Sequence, residues 1–239
     1  MSIIRDSFAR MLQMRIVTAS ILLLLVVVMV LLGFWALLFG LVVAYFLSLY
    51  EIFDLPQHER QGKGFKLKVA LIISFGFLCG AIVLYFNQTL FVFSCILVWI
   101  FDASAFAVGS ALKGPRLVPR ISPNKTLSGV FGGLLGVILV YFLCTKVTHF
   151  QQWVAPLLLL SDIPRSFVHN PIAYYAAPFL FAFFAQSGDL LLSQVKRMSD
   201  ISNFSGLLPG HGGTLDRLDS MMGGWVCALI LLASNFLVT

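Results

Sequence analysis

The chain has 239 residues, of which 59% are hydrophobic and only 11% are charged. The hydrophobic residues form long apolar stretches, which are too many to be buried in the core of one water-soluble domain. The composition therefore excludes that class and indicates an integral membrane protein. Basic loops that contact the anionic headgroups of membrane lipids explain the net charge of +6, and we expect no nucleic-acid partner.

Hydrophobicity divides the chain into about seven transmembrane helices, since a helix needs about 20 apolar residues to cross a bilayer. We therefore predict an all-α, polytopic transmembrane helical bundle, with eight or nine helices if short or broken ones contribute. The first two spans form one apolar run that is too long for a single helix, and a tight turn is predicted near Gly33. The predicted spans are 16–32, 34–53, 69–86, 89–111, 128–147, 171–195 and 219–238.

The spans indicate one integral membrane domain over residues 1–239, with N-terminal spans in 16–111 and most of the motif residues in 112–239. With seven helices, fourteen of the sixteen basic residues fall on one side of the membrane. The positive-inside rule makes that side cytoplasmic, so we expect a cytoplasmic N-terminus and an external C-terminus. The polar loops 112–127 and 196–217 then face the cytoplasm, where nucleotides are found.

Ionisable residues interrupt two of the apolar spans. Asp102 lies in one of them, and Asp189, Ser193, Lys196 and Arg197 are spaced so that they share one face of another. An ionisable group in a membrane is costly unless it is paired or hydrated, so both features are candidate functional sites. The alternative is structural: Asp102 hydrogen-bonds a neighbouring helix, and the shared face is an internal salt-bridged ladder.

A glycine-rich turn, PGHGG at 209–213, precedes the last span. Its glycines let the backbone approach a bulky anion closely, and we expect a helix to begin just after it. Asp216 and Asp219 then project from one side of the first turns of that helix, with Arg217 between them. His211 gains its interest from these neighbours. The alternative is that the carboxylates only complement the helix dipole.

A second polar segment, RISPNKTLSG at 120–129, supplies Lys125 and the hydroxyl groups of Ser122 and Thr126. It is typical of a phosphate-contacting loop, although an ordinary cytoplasmic turn would have the same composition. Carboxylates bind Mg²⁺ and basic groups neutralise phosphate oxygens, so the combined motifs indicate phosphoryl or nucleotidyl transfer. The sequence has no GxxxxGK[ST] motif, which excludes an ordinary P-loop protein.

These motifs resemble the signature of the phosphatidate cytidylyltransferase family, also called the CDP-diacylglycerol synthase family, over about the C-terminal 60% of the chain. Upstream matches are Ser187-Gly188-Asp189, Asp102 with Ala105, and Ser122-Pro123 with Lys125-Thr126 and Gly129. The signature positions that carry the expected residue are Ser193, Lys196, Arg197, Pro209, His211, Gly212, Gly213, Asp216, Arg217 and Asp219.

The resemblance implies a nucleotidyltransferase of phospholipid biosynthesis that converts CTP and phosphatidate to CDP-diacylglycerol and pyrophosphate. It implies a multi-pass enzyme that acts at the cytoplasmic face of a bacterial inner membrane or of an equivalent organelle membrane, and it suggests a homodimer. Mg²⁺ is expected on Asp189 and Asp216, with a monovalent cation such as K⁺ beside it. Other candidate catalytic residues are Lys196, Arg197, His211, Arg217 and Asp219. The candidate substrate-binding residues are Asp102, Ser122, Lys125, Thr126, Ser193, Gly212 and Gly213.

One departure from the signature concerns Ser202-Asn203, which stand where the family has Lys-Asp. The pair of opposite charges is missing, so a catalytically silent member of the family is one alternative. A CTP-dependent transferase for another lipid acceptor is a second, because apolar contacts with acceptor tails leave no sequence motif. Intramembrane Asp102 and Asp189 would also suit a cation-coupled transporter, but no internal repeat supports that class.

Overall fold

The computed structural model describes residues 2–146, 171–210 and 212–236. Within these ranges the protein is a bundle of seven long α-helices with one small β-hairpin at its edge. The helices are α1 (Ser2–Leu32), α2 (Phe34–Phe53), α3 (Phe65–Phe86), α4 (Gln88–Leu112), α5 (Leu127–Lys146), α6 (Pro171–Met198) and α7 (Leu215–Phe236). The strands are β1 (Arg116–Val118) and β2 (Ser122–Thr126).

The predicted all-α membrane fold is confirmed. Among the described residues, six helices, α2 to α7, are long and apolar enough to cross a bilayer, and α1 contributes a shorter apolar helix, Val17–Leu32. The helix bounds agree with the predicted spans to within a few residues, except that α1 begins far earlier than predicted. The sequence also has a short apolar piece at 154–160, in the connection between the fifth and sixth predicted spans, and it lies outside the described residues.

The predicted turn between the first two spans is at Gly33. Its φ of +84° and ψ of −157° interrupt the helix for one residue, a backbone conformation that glycine adopts without the clash a Cβ would cause. The chain re-enters helix at Phe34, and the Leu37 amide already donates to the Gly33 carbonyl at 3.1 Å. One glycine therefore divides the long apolar run into two helices.

The β-hairpin was not predicted. Strand β1 pairs with β2 in antiparallel register, with Arg116 opposite Thr126 and Val118 opposite Ser122. Strand β2, SPNKT, lacks the alternation of apolar and polar residues that identifies a strand in a sequence. The hairpin leads directly into α5. The Thr126 hydroxyl caps this helix, since it accepts a hydrogen bond from the Gly129 amide at 3.1 Å.

Glycines allow the helices that carry the polar residues to approach closely. A Cβ on Gly188 of α6 would lie 2.5 Å from the Asp219 carbonyl oxygen of α7 and 3.1 Å from the Gly223 nitrogen. On α5, a Cβ on Gly129 would lie 2.9 Å from the Ala105 carbonyl oxygen of α4. Such close crossings are common where small residues line helix interfaces in membranes. They bring α6 against α7, and α4 against α5.

The apolar core lies between α3, α4 and α7. Trp225 of α7 stacks on Phe91 of α4, with ring centroids 5.5 Å apart, and meets Phe77 of α3 edge to face at the same distance. All three rings are buried. This aromatic packing holds α7 in the centre of the bundle, and the first turn of α7 carries the candidate site.

Candidate active site

The first part of the site joins the β-hairpin to α6. The Lys125 ammonium group forms an ion pair with Oδ2 of Asp189. The other carboxylate oxygen, Oδ1, accepts a hydrogen bond from Ser193 at 3.1 Å, one helical turn further along α6. The structure therefore brings together three of the candidate site residues, from segments 64 residues apart.

The second part joins α6 to α7 through Lys196. Its Nζ lies 2.9 Å from Asp216 Oδ1 and 3.9 Å from Asp219 Oδ2. The ammonium group also lies 5.3 Å from the ring centroid of Phe204, a distance typical of a cation–π contact. The Lys196 and Asp216 side chains are only 12% and 5% exposed. As predicted, Asp216 and Asp219 project from the same side of α7.

Asp216 is held by the backbone as well as by Lys196. Its Oδ2 accepts hydrogen bonds from the amides of Phe204 and Gly213, each at 2.9 Å. The Gly212 amide donates to the Leu208 carbonyl at 3.1 Å. Both glycine amides that were predicted to contact a phosphate therefore have protein acceptors in this structure. Their role in phosphate binding stays a prediction.

Asp102 completes an acidic cluster, which we define as Asp102, Asp189, Asp216 and Asp219. Ser220 donates from its hydroxyl to Asp102 Oδ2 at 2.7 Å, and its amide donates to Asp219 Oδ1 at 2.9 Å. Asp189 is close enough to interact electrostatically with both Asp102 and Asp219. The cluster thus combines carboxylates from α4, α6 and α7. They lie toward the helix ends that are predicted to face the cytoplasm.

The remaining predicted residues lie around this cluster. Arg197 Nε donates to the Ile121 carbonyl at 3.0 Å and so ties the end of α6 to the hairpin. Arg217 is exposed on α7 and is within electrostatic reach of Asp102. Ser122 is half-buried in β2, and the Thr126 hydroxyl serves the cap of α5. His211 lies outside the described residues.

The oxygen donors of Asp189 and Asp216 suit Mg²⁺. Among the described residues, no three His, Cys, Asp or Glu side chains converge as a ready-made metal site. Mg²⁺, however, is commonly held by one or two carboxylates, with substrate phosphates and water completing its six ligands. Asp189 and Asp216 supply oxygen donors of that kind on neighbouring helices, so the donor set fits this ion.

Glu51 was missed by the sequence analysis. It lies near the end of α2, is 1% exposed, and accepts hydrogen bonds from Ser205, Thr214 and Leu215, the last two at the start of α7. A signal was present, because Glu51 is an acidic residue in a span whose mean hydropathy reaches 2.0. The rule that singled out Asp102 applies to Glu51 as well.

The chain is similar to known proteins of one enzyme family. The sequence profile described as the cytidylyltransferase family matches residues 83–235, a range that includes every predicted site residue and excludes Glu51. The chain is 34% identical over 136 residues to a phosphatidate cytidylyltransferase of Rickettsia felis, with 57% of this chain and 55% of that protein covered.

Two further relatives carry the same name. The Bacillus subtilis protein is 35% identical over 138 residues, with 57% of this chain and 45% of that protein covered. The Staphylococcus epidermidis protein is 32% identical over 192 residues, with 77% of this chain and 64% of that protein covered. The chain therefore matches about half to two thirds of the length of these relatives.

Proposed function

The chain belongs to the cytidylyltransferase family, and from this we propose that it transfers the cytidylyl group of CTP to phosphatidate. The products would be CDP-diacylglycerol and pyrophosphate. The observation that carries the proposal is the pairing of Lys125 with Asp189 and of Lys196 with Asp216 at the ends of two membrane helices. Acceptor lipid and nucleotide would both reach these ion pairs, the lipid from the membrane and the nucleotide from the cytoplasm.

In the proposed reaction an oxygen of the phosphatidate phosphate attacks the α-phosphorus of CTP. A bond forms between them, the bond from the α-phosphorus to the oxygen bridging to the β-phosphorus breaks, and pyrophosphate leaves with that oxygen. Phosphatidate is already an anion near neutral pH, so no side chain needs to remove a proton from it. The protein must instead hold three anionic groups together and stabilise the charge on their oxygens.

We assign Asp189 and Asp216 to hold Mg²⁺, with Asp219 as support and a monovalent cation such as K⁺ beside them. When bound, Mg²⁺ would neutralise phosphate charge as a Lewis acid. Every carboxylate oxygen of Asp189 and Asp216 has a protein hydrogen-bond donor, and these contacts orient the acidic groups before any substrate arrives.

The basic residues would bind phosphate oxygens. Lys125 and Lys196 already lie at the acidic cluster, so an incoming phosphate meets cations that the ion pairs have placed. Arg197 and Arg217 are both exposed nearby and would contact CTP or the lipid phosphate from the cytoplasmic side. Ser122, Thr126, Ser193 and the backbone of Gly212 and Gly213 would add hydrogen bonds, and His211 would orient one of these groups.

The proposal includes a location. The protein has multiple transmembrane helices, and the bias of basic residues supports a cytoplasmic N-terminus and cytoplasmic loops 112–127 and 196–217. A bacterial inner membrane supplies phosphatidate on that side. We also propose a homodimer, on the family resemblance alone.

The decisive experiment measures pyrophosphate release by the purified protein in detergent with phosphatidate, CTP and Mg²⁺. We expect release that requires all three components and is lost in Asp216→Asn. Release with CTP and another phosphate-bearing lipid, but not with phosphatidate, would redirect the proposal to that acceptor. If the wild type releases no pyrophosphate with any such lipid, the proposed function is overturned.

A catalytically silent protein is the second candidate, and one observation favours it. Ser202 and Asn203 are exposed and uncharged where the family signature has Lys-Asp. A Cβ on Gly212 would lie 3.3 Å from Asn203 Cγ and 3.0 Å from Asp216 Oδ2, so position 203 borders the acidic cluster. If the wild type is inactive and Ser202→Lys/Asn203→Asp is active, the chain is a silent member of its family.

A further inference from the structure

The Glu51 carboxylate of α2 is bonded to two other parts of the chain. Its Oε1 accepts hydrogen bonds from the Ser205 hydroxyl at 2.6 Å and the Thr214 amide at 2.7 Å. Its Oε2 accepts from the Leu215 amide at 2.8 Å. Glu51 therefore caps the N-terminus of α7 from a different helix, over a separation of 164 residues.

Glu51 and Asp216 hold the same loop through neighbouring residues. We call residues 199–214, between α6 and α7, the signature loop. At one point of this loop Phe204 donates to Asp216 while Ser205 donates to Glu51. At its end Gly213 donates to Asp216 while Thr214 donates to Glu51. Two carboxylates thus hold the loop at the same two points, and one of them belongs to the proposed catalytic site.

The surroundings of Glu51 leave little room for adjustment. A Cβ on Gly213 would lie 2.6 Å from Glu51 Oε1, so a side chain at this position of the turn would displace the Glu51 carboxylate. Among the described residues, Glu51 forms no ion pair with Lys, Arg or His. Its charge is stabilised instead by hydrogen bonds and by the positive end of the α7 dipole.

The end of α2 that carries Glu51 is itself anchored. Lys66 donates to the carbonyl oxygens of Phe53 and Leu55, at 2.8 and 2.5 Å, and so satisfies the terminal turn of α2. Gln61 donates to the Ser199 hydroxyl at 3.0 Å, at the beginning of the signature loop. The α2–α3 connection therefore contacts one end of the loop while Glu51 contacts the other.

We propose that Glu51 is a positioning residue for the cytidylyl transfer described above: by fixing the signature loop and the first turn of α7, it keeps Asp216 directed at Lys196. This inference rests on the proposed function. It assigns Glu51 no contact with substrate or metal. Because small displacements of a catalytic group reduce rates strongly, loosening the loop should lower turnover even when the fold is intact.

The structural test compares backbone amide hydrogen exchange in the wild type, Glu51→Gln and Ser48→Ala. Gln keeps the size of Glu but replaces one acceptor oxygen with an NH₂ group, which cannot accept from a backbone amide. Ser48 is a matched control, since it is also fully buried on α2 but, within the part of the chain that the structure describes, hydrogen-bonds only to the Ala44 carbonyl of its own helix. We expect about tenfold faster exchange at residues 204–216 in Glu51→Gln, and no change there in Ser48→Ala.

The kinetic test measures kcat and KM for CTP in the same proteins. We expect kcat of Glu51→Gln to fall about tenfold, with a smaller change in KM and a retained thermal unfolding transition. Ser205→Ala, which removes a single hydrogen bond to Glu51, should change kcat and loop exchange in the same direction by less. Glu51→Asp keeps the charge but shortens the side chain, and we expect it to recover part of the activity lost in Glu51→Gln.

The outcomes separate this proposal from the proposed function. An inactive wild type overturns the function and therefore the positioning role, while the exchange measurement would still show whether Glu51 holds the loop. An active wild type with unchanged kcat in Glu51→Gln overturns the positioning role, whether or not exchange increases. If Glu51→Gln does not fold, Ser205→Ala decides, because a normal kcat together with faster loop exchange would also overturn it.

Discussion

Lys196 Nζ lies 2.9 Å from Asp216 Oδ1, across the interface between α6 and α7. The same ammonium group lies 3.9 Å from Asp219 Oδ2, so one cation forms ion pairs with two acidic side chains. Asp219 is buried, and Lys196 and Asp216 are nearly so. Removing one member of such a group leaves an unpaired charge away from water, which is strongly destabilising.

Replacing Lys196 with Met should therefore destabilise the protein by about 3 kcal/mol, because Asp216 and Asp219 lose their cation. A lower thermal unfolding temperature in detergent would report this loss. Adding Asp216→Asn to Lys196→Met should recover part of the stability, because one of the unpaired charges is then removed. The double variant should remain inactive. Equal stability of Lys196→Met and the wild type would contradict the prediction.

Replacing Asp189 with Asn should reduce the proposed activity by about a hundredfold or more, since it removes a charge assigned to the metal and frees Lys125 from its ion pair. Pyrophosphate release measures the effect. Asp200→Asn is the matched control, because Asp200 is an exposed carboxylate just beyond the end of the same helix, at a φ of +55° that Asn tolerates. A similar loss in both variants would mean that Asp189 has no special role.

A methyl group on Gly188 should push α6 away from α7, because it would meet backbone atoms of Asp219 and Gly223 that cannot rotate aside. We expect Gly188→Ala to destabilise the protein by about 1–3 kcal/mol and to lower activity by separating Asp189 from α7. In Gly206→Ala the added methyl group meets no atom within 4 Å. Thermal unfolding and pyrophosphate release of the two variants, measured in parallel, should differ clearly.

Metal removal should abolish the proposed activity. We expect a chelator of divalent cations to reduce pyrophosphate release to background, and added Mg²⁺ to restore it, because Asp189 and Asp216 would then lack the cation that neutralises phosphate charge. The unfolding temperature should change little, since Lys125 and Lys196 pair with these carboxylates without metal. Undiminished activity in excess chelator would rule out a divalent cation at this site.

Most of the helical architecture could be predicted because it depends on local chemistry. An apolar segment of about 20 residues in a bilayer must satisfy its backbone hydrogen bonds internally, and a helix does so wherever the segment occurs. The position of Gly33 in a run of apolar residues was enough to place the first turn. The hairpin could not be predicted, because its second strand consists of turn-forming and polar residues with no strand periodicity.

The identity of the site residues was also readable, since charges in or beside apolar spans are few. Their pairing was not. Nothing in the spacing of Lys125 indicates that it meets Asp189, 64 residues away, rather than Asp102 or Asp216. The pairing of Glu51 could not be read from the sequence either, because its partners follow more than 150 residues later. These partners are Ser205, Thr214 and Leu215.

The sequence by itself determined a multi-pass helical membrane protein with an acidic and basic motif near one face of the bilayer, because hydrophobic length and residue type act locally. The tertiary structure decided which cation meets which carboxylate, and it placed Glu51 of α2 in contact with the signature loop. The physical reason is the close contact of helices at Gly188 and Gly129. These contacts depend on the shapes of two surfaces together, and neither surface alone specifies its partner.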